Sequence, residues 1–428
     1  MIAIQPKLSR PGGGLPGGLA RPLGTAVRAT PWLMLVMWGA FAVVAINTWG
    51  AFAVVGFDFA VIWAAARASA QHPAAAYDLH TLATEIQALP SATGATSGAR
   101  IVLPAPYPPL FFLLLAPLAA LGPVVSFSLW TLLNLGLVIG VVWSLSRRFS
   151  APRLQVTATT LAFFFPVFHT LLLGQTAILL LVAFYCAYRS LERGQDLRAG
   201  LWAGVLLLKP QYALALLVVL FLKRRWWALA GVAAVGMLLG VSSVALLGWQ
   251  GLGEYVTSLR SISGFRAVDP GIYPEYMISW RGLLVNVLPP VSEAEGQALT
   301  AALSLATLGL LPLVWQGGWD PRSPRFAGQM LATCAVAMLT SFHNHVYGAV
   351  LLLVPGMALA ASNHGPRPVH WLLRAGLYAP PLLFLLSGSM TAVALTYVVL
   401  FVAGLLLLVG SQVAPIAWPL LWRRWRLT

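Results

Sequence analysis

The sequence predicts an all-α, polytopic membrane protein, and three observations carry that prediction. Of its 428 residues, 59% are apolar and 9% charged, and the mean hydropathy is +0.82, values outside the range of a water-soluble globule. Apolar runs of about 20 residues recur along the chain, separated by short links that carry Arg and Lys. Backbone groups that face lipid have to be paired within their own segment, which selects helices.

The formal charge is +15, but its distribution argues against nucleic acid as a partner. Arg147-Arg148, Lys223-Arg224-Arg225 and Arg423-Arg424 stand at the ends of apolar segments. That is the positive-inside pattern, with contacts to anionic membrane lipids. Cys186 and Cys334 both lie inside apolar runs and read as packing residues; they form neither a disulfide frame nor a metal spacing.

Taken in order, residues 1–31 form a basic, Gly-rich stretch read as a flexible cytoplasmic tail, followed by a single integral membrane domain over 32–428. The first span, about 32–55, is too long for a signal-peptide core. Its basic flank places both the N-terminus and, by parity, the C-terminus in the cytoplasm. A first outer loop, 57–106, opens with Phe57-Asp58-Phe59 and holds two short interfacial helices, Ala60–Ala70 and Tyr77–Leu89. It ends in a Pro-rich extended stretch, residues 103–109, before the next apolar run.

Apolar segments follow at about 107–121, 124–146, 154–172, 173–190, 198–208, 211–222 and 226–247. Either Lys209-Pro210 kinks one long span, or 107–121 dips in without crossing and two short helices meet at Lys209. The second version obeys positive-inside throughout and is preferred; helices that short need a broken end buried in protein or lining a wet cavity. A second outer loop, 249–280, precedes segments at about 297–316, 327–342, 345–361, 370–387 and 391–410. The total is about twelve membrane segments.

This parity delivers Asp58, Tyr107, Gln175, Lys209, Arg281, His343 and His345 to one face. Asp58 is one of only 11 acidic residues, and a carboxylate at the edge of hydrocarbon loses hydration. It reads either as a cavity-facing proton acceptor or as a boundary residue capping the helix that starts at Ala60. Lys209 and Arg281 offer fixed positive charge to a phosphate, or else snorkel and anchor at the boundary. Gly174-Gln175 marks a helix break at a cavity floor or a tight turn. On a helix His343 and His345 would not share a face, so chelation by this pair alone is disfavoured; a loop aiming one imidazole at a phosphate or hydroxyl competes with a plain polar turn. No phosphate-cradling Gly-rich loop, nucleophile elbow, paired-Cys motif or Asp/Asn-rich metal loop is present.

The order of features resembles a known family. Phe57-Asp58-Phe59 is followed by Ala75-Ala76-Tyr77-Asp78, Tyr107-Pro108-Pro109, Ala116-Pro117-Leu118 and Leu173-Gly174-Gln175. Then come Ala199-Gly200, Lys209-Pro210, Arg224-Arg225-Trp226 and Ser279-Trp280-Arg281-Gly282-Leu283. Over about 32–360 this resembles the GT-C class of integral membrane glycosyltransferases, and within it glycosyltransferase family 87, which includes polyprenyl-phosphate-mannose-dependent mannosyltransferases. The resemblance implies a bundle of GT-C type and an extracytoplasmic active site in a bacterial inner membrane. It further implies transfer of a hexose, mannose first, from a polyprenyl-phosphate sugar to a glycolipid or glycan by inverting single displacement. The family's catalytic acid maps onto Asp58 and its Lys-Pro onto Lys209-Pro210. No cofactor and no metal are indicated; the lipid-linked sugar is a substrate. Where family members often carry Tyr-Asp-Leu after a His turn, this chain has Tyr347-Gly348-Ala349. The competing class is a secondary transporter or lipid-linked sugar flippase, which also uses broken helices at mid-membrane.

Overall fold

The computed structural model describes residues 17–48, 56–87, 89, 104–262, 264–266, 272–362 and 365–413. Within them the chain is helical throughout, its only bridge of β type joining Met277 to His345. Helix α1, Gly17–Thr48, already includes residues placed in the tail by sequence. The end of the first span falls outside the described residues.

The stretch read from sequence as the first outer loop holds short helices. α2 covers Phe57–Gln71 and α3 Leu79–Gln87, joined by a 3₁₀ turn at Pro73–Tyr77. Asp58 is therefore not a cap for a helix beginning at Ala60: it sits in the first turn of α2, and Gly56 is the N-cap. α4, Pro109–Ala119, is 11 residues long, about 16 Å, half the hydrocarbon thickness. α5 runs Pro123–Ser146. α6, Arg153–Phe163, and α7, Phe165–Leu173, form one apolar pair bent by 63°, with Pro166 in the first turn of α7. α8 follows at Ala177–Glu192 and α9 at Asp196–Gly204.

Two 3₁₀ turns, Val205–Leu208 and Pro210–Tyr212, flank Lys209, and α10, Leu214–Leu222, resumes the helix. Lys209 has φ −135° and ψ 84°, a non-helical conformation in keeping with the clash that a following proline creates in the helical region. The break is thus written in the Lys-Pro dipeptide. α11, Trp226–Ser261, is kinked at Gly248 (φ 64°) and runs on into the stretch read from sequence as outer loop 249–280. Its Gly and Trp content hid a helix that turns at the kink instead of ending there. The bundle continues with α12 (Trp280–Val287), α13 (Glu293–Leu308), the single turn α14 (Leu311–Val314) and α15 (Phe326–Thr340). After a 3₁₀ stretch at Val346–Leu352 come α16 (Leu353–Ser362), α17 (Arg367–Ser387) and α18 (Met390–Val413).

Five described helices are long and apolar enough to cross a membrane: Pro123–Ser146, Trp226–Thr257, Glu293–Val314, Arg367–Ser387 and Met390–Ser411; the bent α6–α7 pair makes six. About twelve segments were expected from apolar run length alone. The remaining runs form shorter helices, including α4, α10, α15 and α16, which pack against their neighbours; α15 is buried along almost its whole length. Apolar content alone does not separate a buried helix from a crossing one.

The candidate active site

The C-terminal end of α7 and the N-terminal end of α2 are locked together by two glycines. Gly174 closes α7 in the left-handed conformation (φ 70°), with Gln175 N–H donating to Thr170 O at 3.0 Å. Gly56 has φ 68°, and a Cβ there would lie 2.7 Å from Phe127 and 2.8 Å from Leu173 O. A Cβ at Gly174 would lie 2.5 Å from Phe59 Cβ and 2.9 Å from the same Phe127 ring. Only glycine satisfies both the backbone sign and the space. Trp130 Nε1 donates to Gly174 O at 2.9 Å and fixes the junction from α5. Asp58 follows the first glycine by two residues and Gln175 follows the second directly, so this contact sets their spacing.

Gln175 is the bridge of the site. Lys209 Nζ donates to its Oε1 at 2.7 Å, and its side chain also lies close enough to Asp58 to pull the carboxyl down. Tyr107 OH donates weakly to the same Oε1 at 3.4 Å and pairs with Thr176 Oγ1 at 3.0 Å. Lys209 is buried (6% exposed), with its ammonium 4.8 Å from the centre of the Tyr347 ring and 5.4 Å from that of Tyr107. Two aromatic faces and one amide oxygen compensate part of the lost hydration. Asp58 keeps part of its surface open to the cavity while protein surrounds it. Burial raises its carboxyl to about 6, against the opposing pull of the Gln175 amide and the Lys209 charge.

The His343 turn forms the facing wall. Ile278 N–H donates to Asn344 O at 2.9 Å, and His345 is extended (φ −92°, ψ 176°). In extended chain, residues two apart share a face, so His343 and His345 both line the cavity, with ring centres 5.1 Å apart. The sequence argument that separated them assumed a helix. Asn344, on the opposite face, is fully buried and accepts from Tyr212 OH at 2.9 Å. Gly348 makes that bond possible, because a Cβ there would sit 1.9 Å from Asn344 Oδ1 and 2.5 Å from Tyr212 OH. Gln211 Nε2 donates to His343 O at 3.2 Å, tying the turn to the segment just after Lys209. Burial, then the charges of Lys209 and Arg281, push the His343 imidazole down to about 3, and His345 also lies well below the ordinary histidine value. Both rings are therefore neutral near pH 7.

Asp58, Tyr107, Gln175, Lys209, His343 and His345 all line one cavity of about 890 Å³. Arg281 does not. Its guanidinium is buried (1% exposed) behind the wall and donates to the carbonyls of Phe265 (3.0 Å), Ile262 (3.3 Å) and Phe342 (3.3 Å), over whose ring it also sits. Ile262 and Phe342 are lining residues, so Arg281 holds two parts of the wall together. The cavity also draws on residues the sequence did not single out: His169, Gln211, Tyr273 and Tyr276, with Tyr347 beside Lys209. Among the described residues no three His, Cys, Asp or Glu side chains converge as metal ligands.

Chemically the cavity offers one carboxylate able to accept a proton, one buried cation, neutral imidazoles and several phenols inside apolar walls. That is the equipment for moving a proton off a hydroxyl beside an anionic group. Compared with known families, the chain matches the model for Glycosyltransferase family 87 over residues 106–342. Tyr107, Gln175, Lys209 and Arg281 fall inside the match, while Asp58 and the two histidines of the turn fall outside it. No curated protein and no solved structure gives a match.

Proposed function

The chain belongs to glycosyltransferase family 87 and is a membrane glycosyltransferase; from that premise we propose that it transfers a hexose from a polyprenyl-phosphate sugar. The acceptor is a hydroxyl of a glycolipid or glycan, and mannose is the sugar to test first. The observation that carries this reading is the pairing of Asp58 and Lys209 on one bridging amide in the cavity wall.

In this reading Asp58 takes the proton of the acceptor hydroxyl as its oxygen attacks the anomeric carbon. The bond from that carbon to the phosphate oxygen breaks with inversion, and the electron pair leaves on the phosphate. A phosphate leaving group needs charge compensation, not protonation, and Lys209 supplies it. One carboxylate suffices, in contrast to the carboxylate pair of glycoside hydrolases. The neutral His343 and His345 rings, with Tyr107, offer hydrogen bonds to hydroxyls. The donor's chain is as apolar as the bilayer, which accounts for a site built among broken helices.

The site faces the extracytoplasmic side of a bacterial inner membrane, with both termini in the cytoplasm. The placement of charge supports this: Arg148 pairs with Glu192, and Arg225 with Asp196, at the other end of α8 and α10, about 24 Å from Gln175 by the rise of α8. Purified protein given labelled polyprenyl-phosphate-mannose and a panel of membrane glycolipids tests the proposal. Label is expected in a glycolipid with wild type and not with Asp58→Asn. Equal turnover by both removes Asp58 from the chemistry, and no transfer to any acceptor rejects the donor.

A further inference from the structure

His169 lines the cavity, and its imidazole makes no hydrogen bond to the described residues: Nδ1 is enclosed by protein without a partner, so the ring meets the cavity by its other nitrogen, Nε2. A nitrogen that the protein leaves open at a cavity wall is free to pair with a ligand. Its setting is built. His169 lies on α7 three and four residues before Leu172 and Leu173, and all three line the cavity from one helical face. The imidazole is nearly parallel to Phe165 (ring centres 5.9 Å apart, 17° between planes) and to Tyr347 (6.1 Å, 14°). Stacking of this kind engages the ring faces and leaves the nitrogens at the edge. Tyr347 is also the ring that holds the Lys209 ammonium at 4.8 Å. Four residues of α7, about 6 Å of rise, separate His169 from the end of the helix, just before Gly174 and Gln175.

We propose that His169 is a specificity-determining contact, hydrogen-bonding one hydroxyl of the transferred hexose through Nε2. The inference rests on the reading that the donor is a lipid-phosphate hexose. With the phosphate at Lys209, the sugar bonded to it lies alongside Tyr347 and so beside His169. An imidazole edge next to an aromatic ring suits a hexose, which has hydroxyls at its rim and C–H bonds on its faces. Phe165, Leu172 and Leu173 make the surroundings too apolar for a second charged group. His343, with its own unpartnered Nδ1, and His345 stand on the facing turn and contact other parts of the substrates.

The test is kcat/KM for wild type, His169→Phe and His169→Asn with polyprenyl-phosphate-mannose and its monodeoxy analogues, each protein first checked for monodisperse folding in detergent. Wild type is expected to use one deoxy donor about 10- to 100-fold less well than the intact one, the size of a lost hydrogen bond to a buried partner. His169→Phe keeps the stacking, is slower with the intact donor and shows no such gap. His169→Asn keeps a polar edge and part of the gap. An active His169→Phe with the wild-type gap overturns the proposal alone, as does a wild type indifferent to every deoxy donor. If the Phe variant is inactive throughout, the Asn variant decides, and an undiminished gap there overturns the proposal. A wild type that transfers from none of these donors overturns the donor reading and this proposal together.

Discussion

Lys209 and Asp58 meet through a single side chain: the lysine ammonium donates to Gln175 Oε1 at 2.7 Å, and the same amide pulls the Asp58 carboxyl down. Cation and carboxylate are thereby held in register without a direct ion pair, which would lower the basicity of the carboxylate needed as proton acceptor.

The pH dependence follows from Asp58. Its carboxyl is raised to about 6 by burial, so it is protonated and unable to accept a proton below that value. In wild type kcat/KM is expected to climb through about pH 6 with Asp58 and to fall again toward pH 8, where the Lys209 ammonium, lowered to about 8 by burial, loses its proton. In Asp58→Asn the activity falls by about 10²- to 10⁴-fold, the usual weight of a general base, and the acid limb disappears. Transfer assays from pH 4.5 to pH 8 with both proteins check it; an Asn variant that retains the limb assigns it to another group.

Replacing Gln175 by Leu acts through Asp58. The Gln175 amide holds the carboxyl down against desolvation, so its removal raises the apparent pKa further and moves the acid limb to higher pH. The pH–rate profile separates this positioning role from a merely structural one, which would lower activity equally at every pH.

Lys209→Ala is expected to raise the donor KM about 10- to 100-fold, the loss of one charge-assisted contact to phosphate. Initial rates against donor concentration at fixed acceptor give the answer. An unchanged donor KM places the phosphate elsewhere.

Gly174→Ala tests the junction that spaces Asp58 from Gln175. The left-handed φ of 70° and a Cβ 2.5 Å from Phe59 predict a loss of about 1–3 kcal/mol from the backbone alone. Thermal unfolding in detergent reads the loss, and transfer is expected to fall with it.

How much of this was legible beforehand depends on what kind of signal each residue gives. Asp58 and Lys209 announced themselves because a charge in an apolar stretch is costly, and Pro210 marked the helix break. His343 and His345 were visible, but their shared face was not, since it depends on the extended segment that pairs with Met277 and Ile278. Arg281 was visible for the same reason as Lys209, yet its guanidinium serves backbone carbonyls; sequence gives the charge and not its direction. His169, in Phe163-Phe164-Phe165-Pro166-Val167-Phe168-His169, carried no spacing cue. Only the packing of α7 against Tyr347 reveals its edge in the cavity. Of about twelve expected segments, five or six described ones are long and apolar enough to cross; apolar content cannot sort the rest, because a buried helix such as α15 is as apolar as one in lipid.

Gly348 has a consequence for how this chain can diverge. The Tyr212–Asn344 bond occupies the volume where any larger residue at 348 would put its first carbon. A mutation there alone is a dead end, and so is one that enlarges Asn344. The three positions therefore constrain one another: a side chain at 348 fits only where the tyrosine or the asparagine has given way to something smaller.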